Sequence, residues 1–156
     1  MKIFLDIDGV MIRGASWKSV ELLNDGFPAF SNKAVSSLNK IIEKTGASIL
    51  LTTSHKSNYT INQWKGIFSK RGIVASIKKL NKNNNHLSRK DEILNWLENH
   101  HNEDESFVIL DDDKCLNDLP SEIKERLVLT SSLIGLTDDH VELVVNILKN
   151  TDSIFV

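Results

Sequence analysis

Residues 2–7 (Lys-Ile-Phe-Leu-Asp-Ile) form a short apolar run without the alternation of a half-buried strand. Such a run predicts a strand covered on both faces, as in a parallel sheet. The signature recurs at 47–52 (Ala-Ser-Ile-Leu-Leu-Thr), 73–77, 107–110 and 127–130. Between these runs the apolar positions switch to helical spacing. Val35, Leu38, Ile41 and Ile42 follow Ser31, an N-cap, and Gly46 stops that helix. Ile61, Trp64, Ile67 and Phe68 share one face of a helix within 58–71, ended by Gly72. Ile93, Leu94 and Leu97 mark a third helix over 90–99, and Val141, Val144, Val145 and Leu148 a last one capped by Thr137. Residues 11–30 show no clean period and contain Gly14, Gly26 and Pro28, which predicts an irregular flap with a short helical turn at 17–23. Residues 78–88, dominated by Lys and Asn, read as a polar loop.

Strands alternating with helices predict an α/β domain with a parallel sheet and helices on both faces. No repeat or linker interrupts the pattern, so residues 1–156 read as one domain with a flap at 11–30. Ligands of such sheets sit at the carboxyl ends of the strands. The residues there are Asp6 and Asp8 after the first strand, Thr52-Thr53-Ser54 after the second and Asp111-Asp112-Asp113 after the fourth. Thr130-Ser131-Ser132 follows the fifth.

Composition narrows the classes. The chain has 156 residues, 40% of them hydrophobic and 26% charged, enough for a conventional core. Its 19 basic and 21 acidic residues leave a net charge of -2, which argues against binding through one large basic face. A single cysteine, Cys115, excludes an internal disulfide. Asp6 and Asp8 break the first apolar run, so it does not read as a signal peptide, and no run approaches a membrane span. The expected setting is the cytoplasm.

Two strands ending in carboxylates bring Asp6, Asp8, Asp111 and Asp112 to one edge of the predicted sheet. Two like charges about 4 Å apart repel by roughly 4 kcal/mol at an effective dielectric near 20. The simplest compensation is a hard divalent cation with oxygen ligands, of which Mg²⁺ is the common choice. The competing reading, that each Asp is a turn former, suits one cluster better than two.

The order of these elements resembles the haloacid dehalogenase-like (HAD) phosphohydrolases. Asp6-Ile7-Asp8-Gly9-Val10 resembles the first motif, Leu50-Leu51-Thr52 the second, Lys90 at a helix start the third, and Val108-Ile109-Leu110-Asp111-Asp112 the fourth. The stretches 46–54, 107–113 and Gly135-Leu136-Thr137 are further similar to the HAD domains of Swiss Army Knife RNA repair proteins. Those domains often carry Trp-Arg after the Ser/Thr run, where this chain has His55-Lys56.

The resemblance implies a three-layer, Rossmann-like fold with a central five-stranded parallel sheet, and a small flap in place of a cap domain. It implies a Mg²⁺-dependent phosphatase acting on a phosphomonoester, with nucleic-acid ends as a candidate substrate. Asp6 would be the nucleophile and Asp8 the general acid and then base, its backbone carbonyl also binding Mg²⁺. Thr52 and Lys90 would hold the transferring phosphoryl group, with the adjacent Arg89 or a lysine of the preceding loop (Lys78, Lys79, Lys82) as the alternative cation, and Asp111 and Asp112 would complete the metal site. Thr53 and Lys56 are expected at the substrate, Lys56 supplying the missing arginine's charge but not its planar fork. From their positions alone, His55 either reaches the site or is a solvated loop residue, Trp17 either stacks on a base or packs the flap on the domain, and Lys78 to Lys82 either contact phosphates or form a solvated loop. The rival reading is a non-catalytic module that binds metal or phosphate for recognition within a repair complex.

Overall fold

The computed structural model describes residues 1–14, 21–100 and 105–150. Five parallel strands form one sheet in the order β3-β2-β1-β4-β5, where β1 is Lys2–Leu5, β2 Ser48–Leu51, β3 Ile77–Lys79, β4 Phe107–Asp111 and β5 Leu127–Leu129. The connecting helices are α1 Asn32–Thr45, α2 Ile61–Lys70, α3 Arg89–His100, the single turn α4 Ser121–Lys124, and α5 Asp138–Lys149. The fold is the expected α/β Rossmann-like architecture.

Side chains that alternate along each strand build two separate cores. Ile3, Leu5, Ile49, Leu51, Val108, Leu110 and Val128 face α1, α2 and α5 in the larger core. Phe4, Leu50, Phe107 and Ile109 face Ile93 of α3 and Leu116 in the smaller one. The near-continuous apolar runs follow from this, since both sheet faces are covered.

Caps set the helix limits. Ser31 accepts a hydrogen bond from the Ala34 N–H, and Gly46, at φ 68°, closes α1. Thr60 and Gln63 form a reciprocal capping box at the start of α2.

Two expectations are corrected. The third strand lies at Ile77–Lys79 rather than 73–77 and pairs with Ile49–Leu51 of β2. It is an edge strand whose one buried side chain is Ile77, so Lys78 and Lys79 carry loop-like composition into the sheet. The helical turn expected at 17–23 falls partly on residues 15–20, outside the described residues, as does Trp17. Its remaining part is not helical: Leu22 pairs antiparallel with Pro28. This small hairpin is clasped to α2 by Arg71, which reaches Asp25 (2.7 and 3.0 Å) and the carbonyls of Phe27, Pro28 and Ile67. Among the described residues, no helix is long and apolar enough to cross a membrane.

Candidate active site

Strand register alone aligns the first site residues. Leu5 pairs with Leu51 on one side and Leu110 on the other. The next residues, Thr52, Asp6 and Asp111, therefore emerge side by side at the carboxyl edge. Backbone bonds continue the ladder one step further: Thr52 N–H donates to Leu5 (3.0 Å), and Asp6 N–H donates to Leu110 (3.0 Å). This edge is where the strand order switches direction around β1, the usual place for a crevice in such sheets.

Carboxylate oxygens of Asp6, Asp111 and Asp112 lie within 4.8 Å of one another. Asp6 and Asp111 are buried. Burial, and then the Asp111 charge, push the Asp6 carboxyl up to about 8, against the pull of Arg89 and of the Ile7 N–H that donates to Asp6 Oδ1 (2.8 Å). Burial likewise raises Asp111, whose Oδ1 accepts from the Asp113 N–H (3.0 Å).

The cation at this cluster is Arg89. Its Nη1 lies 2.7 Å from Asp111 Oδ2 and 3.4 Å from Asp6 Oδ1. Thr52 is fully buried, and its Oγ1 has no hydrogen-bond partner among the described residues. An orphaned buried hydroxyl is uncommon, and here it sits level with the acids. Asp8 stands apart from them: its exposed carboxylate meets His55 Nε2 at 2.8 Å. The His55 ring packs edge-on against Phe27 of the hairpin, centroids 5.7 Å apart.

The family model described as the HAD domain in Swiss Army Knife RNA repair proteins matches residues 2–141. The chain belongs to this family. No curated protein and no solved structure matches it significantly.

The HAD domain's expected residues are distributed unevenly. Asp6, Asp111, Asp112 and Thr52 converge. Among the described residues, Lys90, expected as the cation, forms no ion pair with the carboxylates; Arg89 takes that position. The reason is a one-residue shift of the helix start. Ser88 caps α3, its Oγ accepting from the Asp91 N–H (3.2 Å). Arg89 is thus the first helical residue, and adjacent helical residues point about 100° apart. Reading Ser88 as the cap was the signal that could have found Arg89.

Lys56 and Thr53, expected at the substrate, are engaged internally. Lys56 is buried, its Nζ 2.8 Å from Glu92 Oε2, because a buried ammonium requires a counter-charge. Thr53 is buried too, and its hydroxyl caps the 3₁₀ turn Ser54–Asn58 by accepting from His55 N–H (3.3 Å). The Lys56–Glu92 pair ties that turn to α3, three residues beyond Arg89. Neither the role of Glu92 nor that of Gly9 was legible in the motif. Gly9 has φ 81°, and a Cβ there would overlap the Asp112 carboxylate. Thr130 Oγ1 donates to the Gly9 carbonyl (2.7 Å) and pins that loop.

This donor set fits a hard divalent cation. It offers three carboxylates from two adjacent strand ends, two of them buried and one strongly perturbed, with the Arg89 guanidinium as partial compensation. Asp6, Asp111 and Asp112 would hold the ion; the Asp8 carboxylate lies outside the cluster.

Proposed function

We propose that this HAD domain is a Mg²⁺-dependent phosphomonoesterase that works through an aspartyl-phosphate on Asp6, with phosphorylated nucleic-acid ends as its substrates. The observation that carries the reading is the alignment of Asp6, Asp111 and the unpartnered Thr52 hydroxyl across three strand ends, with Arg89 against the acids. The family supports phosphohydrolase chemistry, and its description supports the nucleic-acid setting.

In this reading an Asp6 oxygen attacks phosphorus, and the bond from phosphorus to the leaving oxygen breaks. Asp8 gives its proton to that oxygen. Asp8 then takes a proton from water as the water oxygen attacks phosphorus, which breaks the Asp6–phosphorus linkage and restores the carboxylate. Thr52 Oγ1 and the Arg89 guanidinium hold the transferring phosphoryl oxygens. A divalent cation held by Asp6, Asp111 and Asp112 would supply positive charge that favours the ionised form of Asp6 and offsets charge on the phosphoryl group.

The test is phosphate release from an aryl phosphate and from 3′- and 5′-phosphorylated oligonucleotides, with Mg²⁺ and with EDTA. Release that requires Mg²⁺ and disappears in a folded Asp6→Asn variant is expected. Activity retained in that variant would sink the nucleophile assignment. No release from a folded protein that binds Mg²⁺ would favour the non-catalytic recognition module instead.

A further inference from the structure

The loop between β3 and α3 is built, not merely solvated. The Asn83 side chain accepts from the Leu87 N–H (2.8 Å) and donates to the Leu87 carbonyl (2.7 Å), closing the loop on itself. Leu80 anchors its start in the smaller core and donates its N–H to the Leu51 carbonyl (3.0 Å). Between this loop and one flank of α3 lies a cavity of about 280 Å³. That is slightly below the roughly 300–1,000 Å³ of pockets for drug-sized ligands, a size suited to one nucleoside.

The lining has a specific chemistry. Asn81, Asn84, Asn85 and Asn95 bring four solvent-exposed amides whose side chains make no hydrogen bond to another described residue, which leaves their donors and acceptors open to a ligand. Each offers a donor and an acceptor in one plane. Trp96 and His100 form a stacked pair in the same wall, centroids 5.3 Å apart and 14° from parallel. Glu92 lines the inner end with its charge compensated by Lys56. Lys82 stands exposed at the rim, without an ion pair among the described residues.

A free phosphate would call for cations here, and an aliphatic ligand for an apolar lining. Amides beside stacked rings match a planar group with donors and acceptors along its edge, which describes a nucleobase. Arg89 and Trp96 lie on the same helix seven residues apart, about 10 Å along its axis. The cavity therefore neighbours the carboxylate centre without overlapping it.

We infer that this cavity is a base-binding subsite, which takes the nucleobase next to the phosphorylated end of a single-stranded nucleic acid while that end occupies the carboxylate centre. The inference rests on the phosphohydrolase reading for the placement of the end, whereas the base contact itself is measured by binding. Lys82 at the rim meets the backbone phosphate.

The experiment is fluorescence anisotropy with a labelled adenosine tetranucleotide carrying a terminal phosphate, and with the same oligonucleotide made abasic next to that phosphate. The Asp6→Asn protein, with Mg²⁺, serves as parent so that nothing turns over. Asn81→Ala/Asn84→Ala/Asn85→Ala, which retains Asn83, is expected to weaken binding of the intact oligonucleotide roughly tenfold and to leave the abasic one unaffected. Trp96→Phe, which keeps an aromatic ring against Phe4, provides a second variant and should weaken only the intact oligonucleotide. Intact binding unchanged in both variants, equal losses for both oligonucleotides, or no binding by the parent overturns the subsite. Phosphate release by the wild-type protein is scored separately. Base-dependent binding without any release keeps the subsite and removes the phosphohydrolase; release without base-dependent binding does the reverse.

Discussion

At the residue scale, the site turns on which of two adjacent cations meets the acids. Arg89 Nη1 contacts Asp111 and approaches Asp6, so Arg89→Ala leaves two buried carboxylates with their mutual repulsion. The expected loss in kcat is on the order of 10²–10³-fold, the usual effect of removing one group that stabilises transition-state charge. Lys90→Ala should cost far less, and steady-state kinetics on both variants decides between them. Asp8 poses a different question, because its carboxylate is held by His55 at 2.8 Å and His55 is in turn braced by Phe27. If Asp8 protonates the leaving oxygen, His55→Ala should slow hydrolysis of a nucleoside phosphate by about tenfold. An aryl phosphate, whose leaving group needs no proton, should be affected much less. His55→Gln can restore a donor near the lost Nε2 and should recover most of the rate. Equal losses on the two substrates would show that His55 serves folding rather than the placement of Asp8. The carboxylates were legible because Asp6 and Asp111 interrupt apolar runs. Arg89 stood beside Lys90 as an alternative that only the Ser88 cap could have singled out, and Glu92 carried no sign that it turns inward.

At the level of elements, the hairpin over 21–28 is joined to α2 by the packing of Phe27 on Trp64 and by a buried arginine clasp. Arg71 closes α2, lies buried and bonds three carbonyls besides Asp25. Arg71→Met would orphan those groups and should destabilise the protein by about 3 kcal/mol, measured by urea denaturation. The hydrogen bond from Arg71 holds the Asp25 carboxyl down at about 2, below its ordinary 3.8. A depressed carboxyl stabilises the fold above its unfolded value and ceases to do so as pH falls towards the folded one. This contribution is therefore lost between about pH 4 and pH 2, and the Arg71→Met variant should lack that part of the acid dependence. The elements themselves were mostly readable. Ser31, Gly46, Thr137 and the spacing of Leu38, Ile41, Val141 and Val144 located α1 and α5 to within a residue or two. β3 was displaced because an edge strand needs only one inward side chain, and its two lysines hid it in a polar run.

For the whole molecule, the carboxylate edge trades stability for chemistry. Asp6 sits near 8 in the fold against 3.8 for its ordinary value, chiefly through burial. A raised carboxyl binds more protons in the folded state, so the metal-free protein should lose stability as pH rises from about 4 towards 8. A divalent cation that binds only the ionised cluster reverses this. Mg²⁺ is thus expected to raise the melting temperature more at pH 8 than at pH 5. A shift that is the same at both, or absent from both, would show that the cluster does not hold the ion.

The sequence by itself determined the alternation of strands and helices, the doubly covered sheet and the aspartates at two strand ends, because burial period and local caps are properties of contiguous residues. Only the tertiary structure decided that Leu5, Leu51 and Leu110 share a register, which lines up Thr52, Asp6 and Asp111. It alone turned Arg89 rather than Lys90 to the acids, withdrew Lys56 into a pair with Glu92 and set Asp8 against His55. These contacts join segments tens of residues apart. Their partners are chosen by how helices dock on the sheet and by the cost of burying charge without a counter-charge, neither of which a linear pattern records.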